Sequence, residues 1–183
     1  MLRGVRRNRP PPPGPLDSVV RKHSPVKQQN GDEMNDWNTL LPSTHVDTFT
    51  REHLPPPEQW PVFIADRPEL QYPDTLNCAA ELVDRHVAEG RGQRVAVHGL
   101  HDIDQRSGPF SWTYAQLQDQ VNRIAQVLTQ DMGLVPGNRV LLRGGNSPMM
   151  AACLLASFKA GLVAVPTMPL LRAGELATII DKA

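Results

Sequence analysis

Several residue groupings in this chain could do chemistry, and each has a plainer explanation. Arg143-Gly144-Gly145-Asn146-Ser147 stands between an apolar run and the start of a helical pattern. Backbone amides and a helix dipole at such a junction can hold a phosphate or a nucleotide. The segment matches neither G-x-G-x-x-G nor G-x-x-x-x-G-K-[ST], so the favoured reading is a tight turn that needs glycine torsions, followed by a cap. His98, His101, Asp102 and Asp104 are close enough to suggest a metal site, but no second cluster completes the coordination, and a solvated hairpin loop explains them. Lys159, near the end of an apolar segment, is the one lysine placed where burial could perturb it. An ammonium reaching out to water from a mostly buried helix is the stronger reading. Cys78 and Cys153 have no C-x-x-C spacing and fall in helical segments, as buried reduced thiols would. His86 reads as part of a polar helix face, while His23, His45 and His53 sit in irregular segments without a visible partner. No Ser/His/Asp or Cys/His order can be assembled. Residue types therefore assign no catalytic, cofactor-binding or metal-ligating residue.

The bulk properties narrow the function classes. Lys plus Arg and Asp plus Glu each total 19, a balance that gives no support to nucleic-acid binding. Positive charge gathers only at the start, where Arg3, Arg6, Arg7, Arg9, Arg21, Lys22 and Lys27 face a single acid, Asp17. That start runs into Pro10–Pro13 rather than an apolar core, so it is neither a secretory signal nor an amphipathic transit helix. The most apolar stretch, 149–171, is interrupted by Lys159 and Pro166 and reads as a buried helix followed by a buried strand rather than a membrane span. The expectation is a soluble cytoplasmic protein.

Three segments follow from these patterns. Residues 1–33 are a basic Pro-rich leader expected to be disordered, because they cannot bury enough apolar surface to offset ordering. Residues 34–73 carry Trp37, Phe49, Trp60, Phe63 and Tyr72 among prolines, an irregular arm laid over a domain surface by its aromatics. Residues 74–183 hold the regular elements. Leu76, Ala79, Ala80, Leu82, Val83 and Val87 recur at helical spacing, with Asn77 as N-cap and Gly90 as stop. Strands are expected at 94–98 and 110–112, linked by a polar loop. Thr113 and Gln116 form a capping box ahead of the stripe Leu117, Val121, Ile124, Ala125 and Leu128, closed by Gly133. After Pro136-Gly137 come a strand at 139–143, a Ser147-Pro148 helix start, an apolar helix to residue 160 and a strand at 162–165. Leu171, Leu176, Ile179 and Ile180 begin one more helix. This alternation is the signature of an α/β fold with a parallel sheet and crossover helices. The strand count, and an amphipathic helix at the end, predict an incomplete sheet portion whose remaining parts lie beyond Ala183.

Three motifs in order carry a resemblance. They are Trp112-Thr113-Tyr114-Ala115-Gln116-Leu117, Gly137-Asn138-Arg139-Val140-Leu141-Leu142, and Lys159-Ala160-Gly161-Leu162-Val163-Ala164-Val165-Pro166. Together they resemble the opening of the large N-terminal domain of the AMP-forming adenylating superfamily of acyl- and aryl-CoA synthetases. Leu76-Asn77-Cys78-Ala79-Ala80-Glu81-Leu82 and Thr167-Met168-Pro169-Leu170-Leu171-Arg172-Ala173 resemble its benzoate- and 2-aminobenzoate-CoA ligase branch. Many relatives carry an acidic or amide residue where Met168 stands, a departure that suits the aryl branch. The resemblance implies ATP, Mg2+ and CoA as cofactors of the full-length family member and a small-molecule carboxylate as its substrate. The family's Ser/Thr/Gly-rich phosphate loop, acidic ribose contact and C-terminal lysine have no match here. The resemblance thus implies no catalytic residue in this chain and expects the chain to be inactive alone. Two other readings stay open: a non-catalytic interaction protein using the leader on a partial α/β scaffold, and a nucleotide-binding module on the Gly144-Gly145 turn.

Overall fold

Helix α1, Phe49–Glu52, is a single turn, and a 3-10 turn follows at Pro57–Gln59, where consecutive prolines prevent a longer helix. The computed structural model describes residues 40, 42–61, 67, 73, 75–100 and 108–183, all within one unit, Trp37–Ala183. The expectation for the leader at 1–33 lies outside the described residues. Helix α2 begins with a π-helical stretch, Ala80–Asp84, and continues as Arg85–Ala88. Asn77 caps it, its Oδ1 accepting from the amides of Ala79 and Ala80 at 3.1 and 3.2 Å, and Gly90 ends it at φ +79°.

Strands β1, Val95–Gly99, and β2, Phe110–Thr113, pair antiparallel, with a bulge between Val95 and Val97. Thr113 then starts α3, Tyr114–Gln126, through the expected capping box, and a π-helical turn extends it over Val127–Asp131. Strand β3, Arg139–Arg143, leads into α4, Pro148–Lys159, whose N-cap Ser147 accepts from the Met150 amide. Strand β4, Val163–Thr167, lies parallel to β3, with Arg139 opposite Val163 and Arg143 opposite Thr167. Helix α5, Ala173–Lys182, ends the chain.

The fold class is the expected α/β with a parallel sheet portion, but the described strands form two separate two-stranded sheets. Connection length explains the division. A parallel return needs a crossover, which α4 supplies between β3 and β4, whereas β1 and β2 are only ten residues apart and reverse.

The core lies where α3 meets α4 and α2. Val83, Leu117, Val121, Leu128, Ala152, Ala156 and Leu162 form one buried cluster, with Trp112, Ile124, Ala125 and Val140 packed around it. Ala152, Ala156 and Ser157 are fully buried, and their small side chains let α4 approach α3 closely. Ser157 is satisfied within its own helix, its hydroxyl donating to the Cys153 carbonyl at 2.9 Å. Leu82, expected on the inner stripe of α2, is 59% exposed. The wider π-helical turn rotates it away from the face that Val83 buries.

The two cysteines differ from expectation. Both thiols are free, but Cys78 is exposed in the first turn of its helix. Cys153 is half-buried, and burial pushes its thiol above the ordinary cysteine value.

Asn77 does more than cap. Its Nδ2 also donates to the carbonyls of Phe158 and Lys159, at 3.3 and 3.1 Å, and so closes the C-terminal end of α4 from across the fold. Asn77→Ala removes both functions at once. Urea unfolding is expected to show a loss of about 1–2 kcal/mol, at the upper part of the range for an N-cap. A loss below about 0.5 kcal/mol would mean that water replaces the amide at both helix ends.

Candidate functional site

The Gly144-Gly145 turn leads from β3 into α4. Neither glycine has a positive φ, in contrast to Gly90, Gly133, Gly137 and Gly161. The expectation of special glycine torsions is therefore corrected. The polar groups nearby are already used. Ser147 Oγ accepts from Met150 N at 3.2 Å, and Arg143 Nη2 donates to the carbonyls of Pro169 and Leu171 at 2.7 and 3.0 Å. Arg143 thus fastens the segment before α5 to the end of β3.

His98 Nδ1 lies 2.8 Å from Ser111 Oγ across the β1–β2 ladder. His101, Asp102 and Asp104 lie outside the described residues, and among the described residues no group of three or more His, Cys, Asp or Glu side chains could hold a metal ion. His86 is not on an open polar face. It stacks on Tyr114, with ring centroids 4.2 Å apart, and shares a 3.0 Å hydrogen bond with Arg91 Nε. His53 is partnered as well, stacked on Phe49 and 2.8 Å from the Phe49 carbonyl.

Lys159 does not reach out to water. Its Nζ lies 2.8 Å from both Oδ1 and Oδ2 of Asp84 in α2, and Gln118 Nε2 of α3 donates to the same Oδ1 at 2.9 Å. The ion-pair partners are 22% and 29% exposed, so the pair is shielded without being fully desolvated. This network joins α2, α3 and α4 at the edge of the core. The Lys159 ammonium has both carboxylate oxygens of Asp84 as partners, which ties α4 to α2.

A second polar cluster was not signalled by any sequence pattern. The amides of Val46 and Asp47 both donate to the Pro136 carbonyl, at 2.9 and 3.0 Å. Asp47 accepts from the Phe49 amide at 3.0 Å, from Asn138 Nδ2 at 2.7 Å and from Arg139 Nη1. The Phe49 amide first, then Asn138 and Arg139, hold its carboxyl below the usual carboxylate range. Residues 45–53 form a strap over the turn before β3. Gly137, at φ +95°, makes that approach feasible, since a Cβ there would sit 2.1 Å from the Asp47 carbonyl oxygen. Of the aromatics expected to hold the arm, Phe49 lies under the Arg139 guanidinium at 4.5 Å, while the Trp60 indole N–H turns back to the Pro55 carbonyl. Trp60 lines a shallow groove with Leu40, Arg51, Leu54, Pro55, Pro56 and Pro57.

Among the described residues no helix is long and apolar enough to cross a membrane, and no buried side-chain nitrogen or oxygen lacks a hydrogen-bond partner. The convergent polar groups found here bind the chain to itself.

Comparisons with known proteins place this architecture. A family model described as AMP-binding enzyme matches residues 84–183, more than half of the chain. Acetyl-coenzyme A synthetase of Mycolicibacterium smegmatis is 41% identical over 90 residues, which are 48% of this chain and 9% of that protein. Salicyl-AMP ligase / salicyl-S-ArCP synthetase of Mycobacterium tuberculosis is 37% identical over 75 residues, 41% of this chain and 13% of that protein. The crystal structure of CmiS6 superposes with a TM-score of 0.50 at 28% identity, over 57% of this chain and 24% of that one. The chain therefore spans about a tenth of the length of these curated relatives.

Proposed function

The chain belongs to the AMP-binding enzyme family, and on that premise we propose that residues 74–183 are scaffold from the opening of the large domain of a carboxylate-CoA ligase. In the proposed whole protein the carboxylate is joined to AMP from Mg-ATP and then passed to the thiol of CoA. Its acid is aromatic, benzoate or 2-aminobenzoate, and the protein works in the cytoplasm. The basic leader at 1–33 and the arm at 34–73 precede this scaffold.

One observation carries the scaffold reading. The side chains in the three family-like motifs are consumed by the fold: Thr113 and Gln116 in a cap, Asn138 and Arg139 on Asp47, and Lys159 on Asp84. Residues so engaged do not fit an ATP phosphate, a magnesium ion or the CoA thiol, so no chemical step is routed through them. The aromatic acid is supported by the segments 76–82 and 167–173 and by a salicyl-AMP ligase among the relatives. The acetyl-coenzyme A synthetases among them weigh the other way.

The test is a pair of measurements. The purified chain is expected to give no ATP–pyrophosphate exchange with benzoate, 2-aminobenzoate or acetate. A chimaera in which residues 84–183 replace the matching stretch of an aryl-CoA ligase is expected to keep the host's exchange rate within about tenfold. Exchange by the chain alone would overturn the scaffold reading. A folded chimaera active only in an acetyl-CoA synthetase host would overturn the aromatic assignment.

A further inference from the structure

We infer that His86 is a proton-controlled latch: with Nδ1 unprotonated it holds Arg91 and the turn that caps α3, and on protonation it lets both go. The direction of one hydrogen bond carries this. A guanidinium has donors and no acceptor, so in the 3.0 Å contact between Arg91 Nε and His86 Nδ1 the arginine donates and the ring nitrogen offers its lone pair. An imidazolium has no lone pair there, and its Nδ1–H would point at a donor of the same charge. The bond and the protonated ring exclude each other.

What Arg91 holds is the start of α3. The turn 90–94 leaves α2 at Gly90, φ +79°, and Arg91 N donates back to the His86 carbonyl at 2.8 Å. The turn's carbonyls then serve α3. Tyr114 N donates to the Arg94 carbonyl at 3.0 Å and Ala115 N to the Gly92 carbonyl at 2.9 Å. Those amides open the helix, where no intrahelical acceptor exists. A Cβ at Gly92 would lie 3.6 Å from both Val87 Cγ1 and Ala115 Cβ, so the turn is packed between the two helices. The His86 ring closes the same junction by stacking on Tyr114, the first residue of α3, with centroids 4.2 Å apart.

Both states have partners. His86 lies in the last turn of α2, where the helix dipole favours positive charge, and an imidazolium over the Tyr114 ring gains a cation–π attraction. A released Arg91 keeps the Glu89 carboxylate. Arg85 first, and then Arg91, hold that carboxyl below the usual carboxylate range, so it stays ionised where imidazoles titrate. The titratable and charged groups on the elements joined here are Arg91 and Arg94 of the turn, Tyr114 of α3, and Arg85 and Glu89 of α2. Lys159 of α4 is engaged by Asp84, and Asp119 of α3 by Arg123.

The test is a pH series on the full chain followed by nuclear magnetic resonance. The Arg91 Nε–H signal and the amides of Tyr114 and Ala115 are expected to move with the same midpoint as the His86 ring protons. Below that midpoint, exchange at Tyr114 and Ala115, corrected for its intrinsic pH dependence, is expected to be about tenfold faster, the loss of one charge-assisted bond. Exchange at Val121 and Ala152 should not change, which separates release of the latch from general destabilisation. His86→Gln supplies an acceptor that does not titrate, so it is expected to keep Arg91 held and to remove the pH dependence. An Arg91 signal indifferent to the titration of His86 would overturn the latch, as would the same pH dependence persisting in His86→Gln. Should His86→Gln unfold, the coincidence of midpoints in the parent decides alone.

Discussion

Leu117→Ala lowers the unfolding free energy by about 3 kcal/mol, the middle of the range for truncating a buried leucine to alanine. Leu117 is 3% exposed on the α3 face that meets α4, in the same cluster as Val83, Val121, Ala156 and Leu162. Its neighbours cannot close the gap easily. Ala152 and Ala156 are already fully buried with side chains too short to reach further, and Val121 is β-branched and stiff about its first torsion. The cavity therefore persists, and its cost adds to the lost transfer free energy. Leu82→Ala is the control. At 59% exposure that leucine gives up little contact, and its loss is expected within about 0.5 kcal/mol. Urea unfolding followed by far-ultraviolet circular dichroism and by Trp112 fluorescence reads both variants, since Trp112 packs on the same cluster. Equal costs for the two leucines would mean that α3 and α4 do not form the core.

Asp84→Ala is the second large effect, at about 2 kcal/mol, because it leaves the Lys159 ammonium and the Gln118 amide facing a site with no acceptor. Removing one partner of a fully buried pair costs more, but partners that are 22% and 29% exposed let water share the ammonium, and the figure is reduced for that. Adding Lys159→Met should recover most of the loss, since the unpaired charge is then gone and the methionine chain still packs against the helices. Chemical denaturation of the two single variants and the double variant gives the coupling directly. Absence of recovery would mean that the cost of Asp84→Ala does not come from the unpaired Lys159 charge.

Resemblance and residue pattern agree best where the interactions are local. Thr113 and Gln116 are three residues apart and form the cap their spacing requires. Ser147-Pro148 starts α4, and Gly90, Gly133 and Gly161 close elements at positive φ, because a torsional preference needs no distant partner. The parallel pairing of β3 and β4 follows in the same way from the helix between them. The family assignment rests on motifs of this kind.

The polar ties belong to the other class. Asp84 and Lys159 are 75 residues apart, and Asp47 and Arg139 are 92 apart. Neither pair has a spacing that marks it, and each acid resembles the other exposed acids of the chain. By itself the sequence determined the helices, strands and turns, the family, and the candidate residues at the glycine turn and at Lys159. Only the tertiary structure decided that Lys159 is paired with Asp84 and that Arg143 holds the carbonyls of Pro169 and Leu171, because a side chain's chemistry depends on what packs against it, and that neighbour comes from elsewhere in the chain.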